Sequence, residues 1–115
     1  MLRPHQQLDA WKQAIRLVKA TYLITQNFPS AERYGLTAQM RRAAVSIPSN
    51  LAEGAVRSRK EFARFISISR GSLSELETQT IIAAELGYLL PQHEQFAKLE
   101  RLGQILTGLH KSMVR

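Results

Sequence analysis

From Ser58 to about Leu89 the chain keeps one helical phase without interruption. Phe62, Phe65, Ile66, Ser69, Leu73, Leu76, Thr80 and Ala83 recur at three- and four-residue steps and form a single face. A helix of that length is long by globular standards. In a chain of only 115 residues, its apolar face has to be covered by other helices running alongside it. "SRKE" opens it, with Ser58 and Glu61 at capping-box spacing.

The remaining segments supply those partners. Leu8, Trp11, Ile15, Val18 and Tyr22 predict a first helix from about Leu8 to Asn27, ended by Phe28, Pro29 and Ser30. Leu36, Met40, Ala43, Ala44, Ile47 and Leu51 share one face of a second, from about Thr37 to Gly54, with Gly54 as its stop. Pro91 marks a turn before a fourth, from about Gln92 to Met113, with Phe96, Leu99, Leu102, Leu106 and Leu109 as its apolar positions. No strand pattern, internal repeat or low-complexity segment interrupts this order. Short connections between long helices favour antiparallel neighbours, so the expected fold is an all-α, up-down four-helix bundle occupying residues 1–115 as one domain.

Two features do not fit a helix that faces only water. Pro48 lies inside the second helix, where a proline removes a backbone donor and costs about 3 kcal/mol in isolation. The apolar face continues in phase from Ile47 to Leu51, so one bent helix is expected. Ser46, Ser49, Asn50 or a neighbouring arginine would satisfy the freed carbonyl. Beside the proline, Gln39, Arg42, Ser46, Asn50 and Glu53 form a polar strip. On the third helix, opposite its apolar face, stand Arg64, Ser67, Gly71, Ser74 and Thr78. A glycine in mid-helix costs roughly 1 kcal/mol relative to alanine, and small residues in a row let another backbone come close. A solvated surface is one reading of this strip and a seam against another subunit is the other.

The charge is just as uneven. The net charge is +7 and the pI about 10.4. Seven basic residues fall between Arg41 and Arg70 (Arg41, Arg42, Arg57, Arg59, Lys60, Arg64, Arg70) against Glu53 and Glu61. From Gly71 to Glu100 the sign reverses, with Glu75, Glu77, Glu85, Glu94 and Glu100 facing Lys98. The third helix therefore carries its basic residues toward its N-terminus and its acids toward its C-terminus. The helix dipole favours the opposite order by about 0.3–1 kcal/mol per well-placed charge. If subunits packed side by side in one direction, the basic ends would gather into a collar. Arg41, Arg57, Arg59, Lys60, Arg64 and Arg70 are the candidate phosphate-binding residues. Phe62 and Phe65 lie on the core face, so contact without base stacking is expected.

No catalytic constellation emerges. His5, His93 and His110 each stand alone, and Glu75 and Glu77 point about 200° apart on a helix, so no metal or cofactor is expected. There is no cysteine, hence no disulfide or thiolate chemistry. Helical nucleases have a similar architecture, but their Arg-to-His spacing is not matched by Arg101 and His110. The N-terminal "MLRPHQQLDAWKQ" shows no apolar leader and no run approaches the roughly 18 apolar residues of a membrane span, which fits a cytoplasmic protein.

"YGLTAQMRRAAVSIPSNLAEG" (Tyr34–Gly54) followed by "SRKEFARFISISRGSLSELET" (Ser58–Thr78) closely resembles the four-helix-bundle proteins encoded by intervening sequences within bacterial 23S ribosomal RNA genes. Gln39, Arg41, Arg42, Ala43, Ser46, Ile47, Asn50, Glu53, Gly54, Gly71 to Leu73 and Glu75 to Glu77 carry the likeness. The resemblance implies a left-handed antiparallel bundle assembled as a ring of five, and it brings no catalytic residues. The fold is also similar to that of accessory proteins of diversity-generating retroelements, which implies a basic barrel that binds nucleic acid. The expected function is a non-enzymatic homo-oligomer that binds RNA or DNA through phosphates. The alternative is an interaction scaffold whose charge serves subunit pairing or an acidic protein partner.

Overall fold

The computed structural model describes His5 and residues 8–115; the other residues of the N-terminal stretch read for a leader, and of the expected domain span, lie outside the described residues. Four α-helices and one short 3-10 turn make up the fold, with no strand among the described residues. They are α1 (Asp9–Thr25), α2 (Leu36–Ala55), α3 (Arg59–Glu85) and α4 (Gln95–Met113), with the 3-10 turn at Ser30–Glu32 between α1 and α2. Each helix packs on two others: α1 on α2 and α4, and α3 on α2 and α4.

Local chemistry sets the ends. The Ser58 hydroxyl accepts the Glu61 N–H at 3.2 Å and starts α3, as the capping-box spacing predicts. α3 ends at Glu85, short of the predicted Leu89. Gly87 adopts φ +80°, and Gly87 N–H and Tyr88 N–H close on the carbonyls of Ala84 and Ala83 at 3.0 and 2.9 Å. That left-handed stop favours glycine, and it cuts off an apolar pattern that continued into Leu89. α4 starts later than predicted, at Gln95, where His93 Nδ1 accepts the Gln95 N–H at 3.0 Å. His93 is therefore a capping residue. α2 runs past the predicted stop at Gly54 to Ala55.

The core joins Leu17 of α1, Met40, Ile47 and Leu51 of α2, Ile66 and Leu76 of α3, and Leu99, Leu102 and Leu106 of α4. Each such side chain contributes about 1.5–3 kcal/mol by leaving water. The faces read for α2, α3 and α4 are the faces that pack, with Leu36, Phe62, Phe96 and Leu109 half-buried at their margins. α1 differs. Its buried residues are Ala10, Ala14, Leu17, Thr21 and Thr25, whereas Ile15 and Tyr22 stay 42% and 41% exposed. The small residues let α1 approach its neighbours; of the larger apolar stripe, Trp11 and Val18 pack half-buried at the core margin and Ile15 and Tyr22 turn outward. Thr21 and Thr80 are fully buried, yet each hydroxyl donates to the carbonyl four residues back, at 2.8 and 2.7 Å.

α2 passes unbroken through Pro48, whose ring is buried. Ser49 Oγ donates to Val45 O and Asn50 Nδ2 to Ser46 O, both at 2.8 Å. The Ala44 carbonyl that the proline frees receives neither bond. The expected rescue of that carbonyl is therefore replaced by bonds to its two successors.

Candidate nucleic-acid and subunit interface

The polar strip on α2 divides into two parts. Ser46 faces α3 and shares a 2.8 Å hydrogen bond with the hydroxyl of Ser72, while Asn50 Nδ2 reaches Ser46 Oγ at 3.0 Å. Ser69 adds a buried bond to the Ile47 carbonyl at 2.9 Å. Ser46 and Asn50 thus belong to the α2–α3 contact, and Ser69 and Ser72 are partners that the sequence reading did not name as such. Gln39, Arg42 and Glu53 are exposed. Glu53 pairs with Arg57 at 3.3 Å.

The six candidate phosphate-binding residues do not form one group. Arg41 is half-buried on the α1 side: its Nε donates to Thr25 Oγ1 at 2.9 Å and its guanidinium lies 4.4 Å from the Tyr22 ring centroid. Arg57 sits between Glu53 and Glu61, at 3.3 and 3.7 Å, so its charge is largely offset. The i, i+4 spacing of these three residues was the available signal. Arg59 donates to the Ser112 carbonyl at the end of α4. Arg64 stands over the Phe65 ring at 4.6 Å. Arg70 opens into a groove between α3 and α4 that Glu77 and Glu100 also line. Arg59, Lys60, Arg64 and Arg70 are all exposed and fall within about 140° of arc on α3. They are the part of the predicted collar that one protomer brings together.

The small strip on α3 faces solvent throughout: Ser67, Gly71, Ser74 and Thr78 are exposed. A Cβ built at Gly71 meets nothing within 4 Å. A second open surface lies between α1 and α2, where Trp11, Ile15 and Val18 face Val45, Pro48 and Ala52. It contains most of the stripe that the sequence reading assigned to the core.

A carboxylate ties the loops together at the far end of α3. Glu32 accepts the Leu36 N–H at 3.2 Å, securing the first turn of α2, and the Tyr88 hydroxyl at 2.9 Å. The hydrogen bond to Glu32, then burial, then the Glu32 charge raise the Tyr88 phenol above its ordinary pKa. A phenol that ionises late in the folded state contributes stability below the ordinary tyrosine pKa of about 10 and loses it as pH rises through the raised value. In a titration followed at 295 nm, the wild-type chain is expected to show a late phenolate step that Tyr88→Phe removes. The stability difference between the two should narrow only in that alkaline range.

Among the described residues no three of His, Asp and Glu gather where they could hold a metal ion. No helix among them is long and apolar enough to cross a membrane. The fold and its surfaces define an all-α, four-helix protein whose distinctive chemistry lies on its outer faces. The family model described as 23S rRNA-intervening sequence protein matches residues 6–108, and the chain belongs to that family. No curated protein matches it.

Proposed function

We propose that this chain is a non-enzymatic, cytoplasmic subunit of a homo-oligomeric ring of five. Its protomer is an up-down antiparallel bundle with α2 bent at Pro48. The assembled particle holds RNA or DNA by phosphate contacts through Arg59, Lys60, Arg64 and Arg70. One observation carries the reading: Ile15 of the α1 apolar stripe stays exposed between half-buried Trp11 and Val18 and beside exposed Val45, on a surface that no other part of the protomer covers. Exposed apolar surface of this kind, next to a neighbouring groove, marks an interaction site. The same protomer leaves the small-residue strip of α3 uncovered, and symmetric self-association is the usual way to bury such surfaces. Short connections and the cyclic packing order of the four helices support the antiparallel arrangement.

Phosphate binding follows from repetition. A few exposed cations on one protomer bind weakly; gathered around a ring they form a continuous positive edge. Binding to unrelated duplexes and single strands is expected to weaken steeply with salt, and similarly for every sequence. Lys60→Glu with Arg64→Glu should reduce the slope of log affinity against log salt by about one per lost contact. No retention at low salt would favour the second reading, a scaffold that binds protein only. Arg57 and Arg70 favour that alternative, since acids already accompany both.

A further inference from the structure

We propose that the groove between α1 and α4 receives the C-terminal half of α3 from a second copy of the chain. This rests on the self-assembly proposed above and names its contact.

Arg16 and Lys19 of α1 and Lys98 and Arg101 of α4 line the groove, with Ala20 and Leu23 among its apolar lining. Leu23 is 54% exposed. Lys98 pairs loosely with Glu94 at 3.6 Å. Arg16, Lys19 and Arg101 make no ion pair within 4 Å among the described residues. The groove is cationic with an apolar lining, so its occupant should be acidic and apolar.

The C-terminal half of α3 has that chemistry. Glu75 and Glu85 are exposed, and Ile82, between them, is 43% exposed. At 100° per residue these three fall within about 80° of arc, on the same side as Gly71 and Thr78. The last turn of α3 holds no basic residue of its own, so its acids oppose the helix dipole unless cations arrive from elsewhere.

The heights also agree. The Gln95 amide donates to Thr21 Oγ1 at 3.0 Å, which sets the start of α4 beside the end of α1. Tyr88, just past α3, bonds Glu32 at 2.9 Å and packs on Phe28 at 5.2 Å, just past α1. The groove and the acidic half of α3 therefore sit at the same end of the molecule. A neighbour rotated about an axis parallel to the bundle brings one against the other without sliding. Such a contact joins two different faces, so it repeats from copy to copy and closes into a ring if the angle allows. A nucleic-acid strand would also suit four cations on an apolar floor, but it leaves the matched acids of α3 unexplained.

The test compares four chains by light scattering at low salt: wild type, Arg16→Glu with Lys19→Glu, Glu75→Lys with Glu85→Lys, and all four changes together. All four positions are exposed, and circular dichroism confirms that the fold is kept. Each pair of changes is expected to weaken association by about a hundredfold or more. The combined chain, in which Arg16, Lys19, Glu75 and Glu85 change sign together, is expected to recover it in part, since Lys98 and Arg101 keep their charge. Association unaffected by either pair, or no recovery in the combined chain, overturns the contact while leaving self-assembly standing. Assembly that survives Arg16→Glu with Lys19→Glu while a single-stranded oligonucleotide is no longer retained assigns the groove to nucleic acid and also overturns it. A wild type that remains at 13.0 kDa overturns the contact and the assembly together.

Discussion

Gly54→Ala is expected to lower the melting temperature by about 4–8 °C, on a scale where 1 kcal/mol moves a domain of this size by several degrees. A Cβ at Gly54 would stand 2.6 Å from Phe65 Cβ and 2.9 Å from Phe62 Cδ1. Phe65 Cβ is fixed to the backbone of α3, so no rotamer change relieves the conflict and α2 and α3 must move apart. Overpacking of this kind costs about 1–3 kcal/mol, and the gain in helix propensity over glycine, at most about 1 kcal/mol, does not offset it. Gly71→Ala is the control. It meets nothing in the protomer, so the propensity gain stands alone and a dilute chain should melt slightly higher. Thermal melts at 222 nm check both; equal melting of Gly54→Ala and wild type would show that the two helices have room that the geometry denies.

The second large effect concerns assembly. Ile15→Glu is expected to leave the protomer folded, since Ile15 is 42% exposed and surface substitutions stay within about 0.5 kcal/mol. On the assembly proposed above, the same carboxylate would be buried in an apolar seam beside Trp11 and Val45. An unpaired charge removed from water costs several kcal/mol, so association should weaken by about a hundredfold or more. Sedimentation at a series of concentrations reads this directly. A variant that associates as the wild type does would place the α1–α2 surface outside any subunit contact.

Three of the four helices were legible because their cores are built from large apolar residues at regular three- and four-residue spacing. Met40, Ile47 and Leu51 leave little choice of face on α2, and Leu99, Leu102 and Leu106 leave little on α4. α1 misled because bulk and burial are separated there. Its largest apolar residues, Trp11, Ile15 and Tyr22, lie about 110° from the Ala10–Ala14–Leu17–Thr21 face that packs. A row of alanine and threonine at helical spacing was the signal for close approach, and hydrophobicity alone ranks it too low. The stop at Gly87 was hidden by Leu86, Leu89 and Leu90, which prolong the helical pattern past the residue that ends it.

The interface was less legible than the core, for a different reason. Charge counts along the chain mark a basic region, but pairing is local chemistry that counts do not resolve. Arg57 is held by Glu53 and Glu61, Arg41 by Thr25 and Tyr22, Arg59 by the Ser112 carbonyl and Arg64 over Phe65, so four of six candidate cations already have contacts within the fold. The Ser46–Ser72 bond and the Glu32–Tyr88 bond join residues far apart in sequence. No periodicity encodes them. The polar strip and the small-residue strip were visible as anomalies, and of the two only the first finds part of its explanation inside the protomer.

Static light scattering on the purified chain at micromolar concentration tests the central claim most directly. The account predicts a single species at five times the 13.0 kDa of one chain, shrinking on dilution, on Ile15→Glu or on either charge-reversing pair of changes. A stable 13.0 kDa species at that concentration, with Ile15 and Gly71 open to water, would contradict it.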